Sequence, residues 1–257
     1  MKILLYNYVQ PNELGSAGGG VAVYMKNLTQ SLRAAGHRVY TLSSGDRYNV
    51  LRKRVRLVKK SEHDFVIYNS PVVAPAIFSF YHPEYFLYDD GLNDIALQLR
   101  HEIGQIDVFH FHNIEGLTFN FFLYLRSCFD RSALIYSAHN YSIICPQVNL
   151  WRNGRMSCKS YENGVACVSC VDFGDNRNKK IFVNAIKTIV KDLKSERIFE
   201  YAYRFDSLAK KILLEKNMKT NSLLRDEVPL SKNKGDLYEA YRSKGVKLIN
   251  FIFDKTL

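Results

Sequence analysis

Met1 to Val9 is an almost unbroken apolar run, followed by Gly15-Ser16-Ala17-Gly18-Gly19-Gly20 and then by a helical pattern. This order of buried strand, glycine turn and helix restricts the fold more than any other feature of the chain. Successive strand side chains point to opposite faces, so a continuously apolar strand must be covered on both. The helical pattern runs from Val21 to Ala35, with Val21, Tyr24, Met25, Leu28 and Leu32 at helical spacing. Gly36 then stands where a C-terminal glycine cap is wanted. The alternation continues: Arg38–Ser43, Phe65–Asn69, Ile106–Phe111 and Leu134–Ala138 read as strands, with helical patterns at Leu92–Ile103 and Leu117–Phe129. Strands separated by helix-length segments imply right-handed crossovers and a parallel sheet with helices on both faces. The expected architecture is a doubly wound α/β domain.

With 257 residues, 47% of them hydrophobic, the chain has material for one large core with an appendage. No run reaches the roughly 18–20 apolar residues of a membrane span. Gln10-Pro11-Asn12-Glu13 stops the first run without a small-residue cleavage site, which marks a buried strand rather than a leader peptide. The expected compartment is therefore the cytoplasm, where thiols stay reduced. The net charge is +11 and unevenly placed: residues from Arg177 onward carry 19 Lys/Arg against 10 Asp/Glu. A second basic run spans Arg52 to Lys60. Such fields attract phosphate-bearing partners. Nucleic acid is not expected among them, because no recognised binding module is present and the aromatics lie within strand and helix patterns.

Beyond Cys170 the alternation stops. Between Lys179 and Lys194 the apolar residues Phe182, Ile186, Ile189 and Leu193 follow helical spacing, and Lys180, Lys187, Lys191 and Lys194 follow it on another face. Such a basic amphipathic helix suits an anionic membrane surface, or caps a domain with its lysines in solvent. The next strand-like run is Val246–Phe253.

Four motifs carry chemistry. The glycine turn at a helix N-terminus offers unpaired backbone N–H groups to an anion or a sugar hydroxyl, although its spacing is not that of a dinucleotide fingerprint. In Asp107-Val108-Phe109-His110-Phe111-His112-Asn113, strand alternation puts His110 and His112 on one side, at the edge where doubly wound sheets bind ligands. The pair could ligate a metal, but the favoured reading is hydrogen-bonded supports in a buried strand end; His112 and Asn113, the last of the run, are the ones expected to face a cleft. Ser137-Ala138-His139-Asn140-Tyr141 ends another strand at that edge, where a neutral imidazole can bond a hydroxyl or move a proton. No serine or cysteine occupies a nucleophile turn, so hydrolase chemistry has little support. Finally, Cys145-x12-Cys158-x8-Cys167-x2-Cys170 is compatible with a tetrahedral, structural zinc fastening the loop of residues 140–175. Cys128, in an apolar helix pattern, is expected to be inert.

Taken in order, M-K-I-L-L-Y, G-G-G-V-A-V-Y-M-K-N-L-T-Q-S-L-R-A-A-G-H-R-V, D-V-F-H-F-H-N-I and S-A-H-N-Y-S-I-I-C-P resemble the N-terminal domain of retaining family 4 glycosyltransferases. The resemblance spans Met1 to Cys170 and implies a Rossmann-like, acceptor-side domain of the GT-B fold. It implies that Gly19 and Gly20 lie near the donor's phosphates and that His139 reaches the transferred sugar. His112, Asn113, Asn140 and Tyr141 are the expected substrate contacts. On this reading residues 1–215 form the domain, residues 216–257 are a tail of unassigned structure, and the donor-binding half is absent. A nucleotide-sugar donor would be met through a separate donor-domain chain, with a glycan or lipid-linked acceptor, at the inner face of the membrane. A non-catalytic carbohydrate- or lipid-binding subunit, or a truncated gene product, remains the alternative.

Overall fold

The computed structural model describes residues 1–192 and 239, apart from residues 12–18, 81, 88, 154, 161, 163–164 and 171–176. The expected tail and the Val246–Phe253 run lie outside the described residues, as do Gly15 and Gly18. A six-stranded sheet is built from β1 (Lys2–Tyr6), β2 (Arg38–Ser44), β3 (Arg56–Lys59), β4 (Asp64–Tyr68), β5 (Val108–Phe111) and β6 (Ala133–Tyr136), in the order β3-β4-β2-β1-β5-β6. Every pairing is parallel except that of β3 with β4. The chain moves outward from β1 through β2 to β4, then returns to place β5 on β1's other side. That reversal opens a crevice beside the carboxyl ends of β1 and β5, where open α/β sheets bind ligands.

The apolar alternation of β1 is divided between two cores. Leu4 and Tyr6 join the larger cluster, which includes α3 (Asn93–Ile103) and α4 (Phe119–Cys128). Ile3 and Leu5 meet Met25, with Leu28 and Leu32 packed alongside, from α1 (Gly19–Ala34) on the other face. Thr118 caps α4 by accepting a hydrogen bond from the Phe121 N–H at 3.2 Å. Cys128, as expected, is packed against the apolar core.

One part departs from expectation, and a second departs from one of its two expected readings, the domain cap with its lysines in solvent. The basic run Arg52–Lys60 contains the antiparallel edge strand β3, whose few apolar residues gave no period to read. The second concerns α6 (Arg177–Asp192), which follows the short helices α2 (Pro83–Leu87) and α5 (Val165–Cys170). Its inward face carries Asn184, Ala185, Thr188 and Val190, with Ile181 packed alongside, while Phe182, Ile186 and Ile189 point to solvent. Asp46, just beyond β2, is raised to about 6 by burial, and Lys191, Lys180 and Lys187 counter that shift. The lysine face of α6 therefore turns toward a carboxylate, and the Thr188 hydroxyl accepts the Tyr48 N–H at 3.2 Å. Among the described residues no helix is long and apolar enough to cross a membrane.

Among the described glycines, Gly116 in the turn after β5 has the closest neighbours. Gly116 has φ +81°, and a methyl group there would sit 2.2 Å from the Ser44 carbonyl oxygen. Gly116→Ala should cost about 3 kcal/mol or more of stability. Urea unfolding would show it as a lowered midpoint with unchanged slope, and a midpoint equal to wild type would overturn the assignment.

Candidate active site

Because β1, β5 and β6 are adjacent and parallel, Asn7, His112 and the Ser137–His139 segment are delivered to one edge. His110 and His112 share a side, as the alternation required, with ring centroids 4.1 Å apart. His110 Nε2 lies 2.8 Å from Ser137 Oγ, and His112 Nδ1 lies 3.0 Å from His139 Nε2. Tyr24 of α1 closes the group, with its ring centroid 5.1 Å from that of His139 and 5.5 Å from that of His112. The glycine-led helix and both histidine strands thus converge.

The expected cleft residues divide into supports and contacts. His112 and Asn113 are only 1% and 4% exposed, so they do not present themselves to the cleft as expected. They directly follow β5 in a buried part of the domain, and the His139 ring packs on that of His112. The Asn113 amide donates to Asn7 Oδ1, tying the end of β5 to the end of β1. Asn140 Oδ1 accepts the Ser142 N–H at 3.0 Å, an Asx turn that shapes the segment after His139. His139 and Tyr141 are exposed. Gly19 has φ +54°, a conformation suited to glycine, and a methyl added at Gly19 or Gly20 would meet nothing within 4 Å. The N-terminal turn of α1 has no acidic residue to repel an anion.

Burial, followed by the neighbouring His110 and His139, pushes His112 down to about 3. Burial and His139 also lower His110. His112 is therefore neutral near neutral pH, with one ring proton. Its Nδ1 contact with His139 leaves Nε2 buried without a partner among the described residues. A neutral His112 can fix the orientation of the His139 ring without attracting a counter-ion.

Tyr24 was missed as a site residue because its helical spacing placed it with the core positions. Its signal was an aromatic in the second turn after the glycines. Ser137 and Asn7 carried no pattern of their own. Glu115, buried at the same edge, had none either; with burial, it raises Tyr8 to about 12.

The four cysteines expected to bind metal all line one cavity of about 20 Å³, together with Trp151 and Gln147. They are held by a small ribbon, β7 (Trp151–Arg152) and β8 (Met156–Ser157), and by α5. Cys170 Sγ accepts the Asn153 backbone N–H at 3.1 Å and Gln147 Nε2–H at 3.2 Å. The sulfurs are free rather than disulfide-bonded. Among the described residues no three His, Cys, Asp or Glu side chains are grouped closely enough to hold a metal ion. The structure thus brings the thiols together around one cavity but does not assemble a coordination sphere.

The family model for Glycosyltransferase Family 4 matches residues 18–169, more than half of the chain, and spans both histidine strands and the cysteine loop as far as the residue before Cys170. Comparison with curated proteins gave no match.

The His112 shift has a testable sign. Its pKa falls from 6.5 unfolded to about 3 folded, so the unfolded chain binds more protons between those values. This contribution to stability is full above 6.5 and is lost as pH falls toward 3. His112→Gln should flatten the acid side of the stability curve relative to wild type, as read by denaturant midpoints across that window. Identical pH slopes for the two proteins would rule out a buried neutral His112.

Proposed function

The chain belongs to glycosyltransferase family 4, and on that footing we propose that residues 1–215 are the acceptor-side half of a retaining transferase using a nucleotide-sugar. On this reading transfer also needs a donor-binding half. The observation that carries this reading is the packing of Tyr24, in the second turn of the glycine-led helix α1, against His139 and His112 at the carboxyl ends of β1 and β5. The acceptor hydroxyl oxygen forms a bond to the anomeric carbon of the donor sugar, and the bond from that carbon to the phosphate oxygen breaks. The nucleoside diphosphate leaves with the electron pair, and the acceptor's proton is released.

Each site residue has a role in that step. The N–H groups at Gly19 and Gly20 face the charge that develops on the leaving phosphate, where a helix N-terminus is worth most. His139 hydrogen-bonds a hydroxyl of the transferred sugar, and His112 holds its ring. Asn113 steadies the strand end. Tyr141, and the turn formed by Asn140, line the acceptor side, which would take a polysaccharide or lipid-linked glycan. A lipid-linked acceptor would place the reaction at the inner face of the membrane, with the protein in the cytoplasm.

We also infer a structural zinc held by Cys145, Cys158, Cys167 and Cys170. The shared cavity and the two N–H groups directed at Cys170 Sγ support it, since donors to a ligating sulfur stabilise its thiolate. Four thiolates leave no open position, so the ion would fasten the loop and take no part in transfer.

Two outcomes test these readings. With the donor half supplied, His139→Ala should lower kcat by about 10²-fold or more while leaving acceptor KM within a few-fold. Wild-type turnover by that variant removes His139 from the chemistry. Protein purified without oxygen should carry about one equivalent of zinc, falling sharply in Cys170→Ser. Less than about half an equivalent, with four titratable thiols, would discard the metal.

A further inference from the structure

The inverted face of α6 has a counterpart in the charge of the chain. Residues 47–60 contain seven Lys/Arg and no acidic residue, and α6 contains five with one aspartate. The remainder of the chain is balanced, at 24 Lys/Arg and 24 Asp/Glu, so these two segments account for the entire net charge of +11. They are neighbours in space. Thr188, in the middle of α6, receives the Tyr48 N–H, Tyr48 packs with Ala185, and Lys60 pairs with Asp192 at 2.6 Å.

Large apolar side chains project into solvent from this same cationic region. On α6, Phe182 is 60% exposed, Ile186 44% and Ile189 53%, one helical stripe turned away from the sheet. On the adjoining loop Val50 is 46% exposed and Leu51 92%, followed by the exposed Arg52, Lys53 and Arg54. Asn49 Oδ1 accepts the N–H groups of both Leu51 and Arg52 at 3.0 Å, so the loop tip is shaped by hydrogen bonds. Exposed Lys179 lies on the outward side of the helix.

We propose that this face docks on an anionic lipid bilayer, with Leu51, Phe182, Ile186 and Ile189 entering the interface and Arg52, Lys53, Arg54 and Lys179 lying among acidic headgroups. Apolar side chains ringed by cations match the two layers of such a surface, hydrocarbon beneath negative charge. Nucleic acid would answer the cations but offers nothing comparable for four outward aliphatic and aromatic side chains. The proposal shares with the transferase reading only its location at a membrane.

The test uses the full chain and sedimentation with large unilamellar vesicles, without any nucleotide-sugar. One set is phosphatidylcholine alone, and the other contains roughly one-third phosphatidylglycerol. Binding should be at least about tenfold tighter to the anionic vesicles and should weaken as salt is raised. Two exposed variants separate the components: Phe182→Ser/Ile186→Ser/Ile189→Ser and Arg52→Glu/Lys53→Glu/Arg54→Glu. Each should reduce binding about tenfold or more while leaving the unfolding midpoint near wild type. Equal binding to neutral vesicles, no binding, or unchanged binding by both variants would overturn the proposal. So would self-association, or RNA capture at physiological salt, that is lost in these variants while vesicle binding is not. A chain that binds vesicles but never supports sugar transfer would sink the transferase reading and leave this one standing.

Discussion

The site depends on one short backbone turn, Glu115-Gly116, onto which three other strands are pinned. The Tyr6 hydroxyl at the end of β1 donates to the Glu115 carbonyl. The hydroxyls of Ser44, ending β2, and Ser70, just beyond β4, both donate to the Gly116 carbonyl at 2.6 and 2.8 Å. All of these groups are buried, so a lost partner would leave a polar atom without water. The turn can approach so closely only because Gly116 has no side chain and a left-handed backbone. Strand ends that would otherwise fray are locked at one level, and the level of the histidines follows from that.

Their chemistry follows from the same burial. His112 is neutral because it is inside, and a neutral ring can hold His139 through one shared proton. A charged pair at 3.0 Å would repel and draw in water. His139, one step further out, keeps solvent access while its ring is braced by Tyr24 and His112. The division of a buried support and an exposed contact is a common way to fix a reactive group without burying it.

How much of this was legible depends on how local each signal is. The five parallel strands and the helices between them could be read because apolar period is a property of neighbouring residues. The position of the two histidine strands at one edge followed from the alternation and the handedness of crossovers. Tyr24 could not be assigned, since helical spacing distinguishes a face but not what the face meets. Nor could the burial of Asn113, whose amide reaches back to Asn7 at the end of β1. β3 was hidden in a basic run because its pairing with β4 is long-range, and cations over aromatic rings, such as Arg56 on Tyr68, stand in for apolar burial.

The inversion of α6 shows the limit most clearly. Its apolar period is strong, and by itself it favours burying Phe182, Ile186 and Ile189. A small patch of Tyr48, Val73 and Ala185, together with Asp46 and the hydrogen bond to Thr188, turns the helix the other way. A desolvated carboxylate is costly unless cations answer it, whereas three side chains left in water forgo a stabilisation that another surface can restore. The helix is thus held to the domain by a mixed side, Ile181, Ala185 and Val190 beside Asn184 and Thr188, and leaves Phe182, Ile186 and Ile189 outward. That arrangement would be a defect in an isolated globule, and it is consistent with a domain whose working surroundings include more than water.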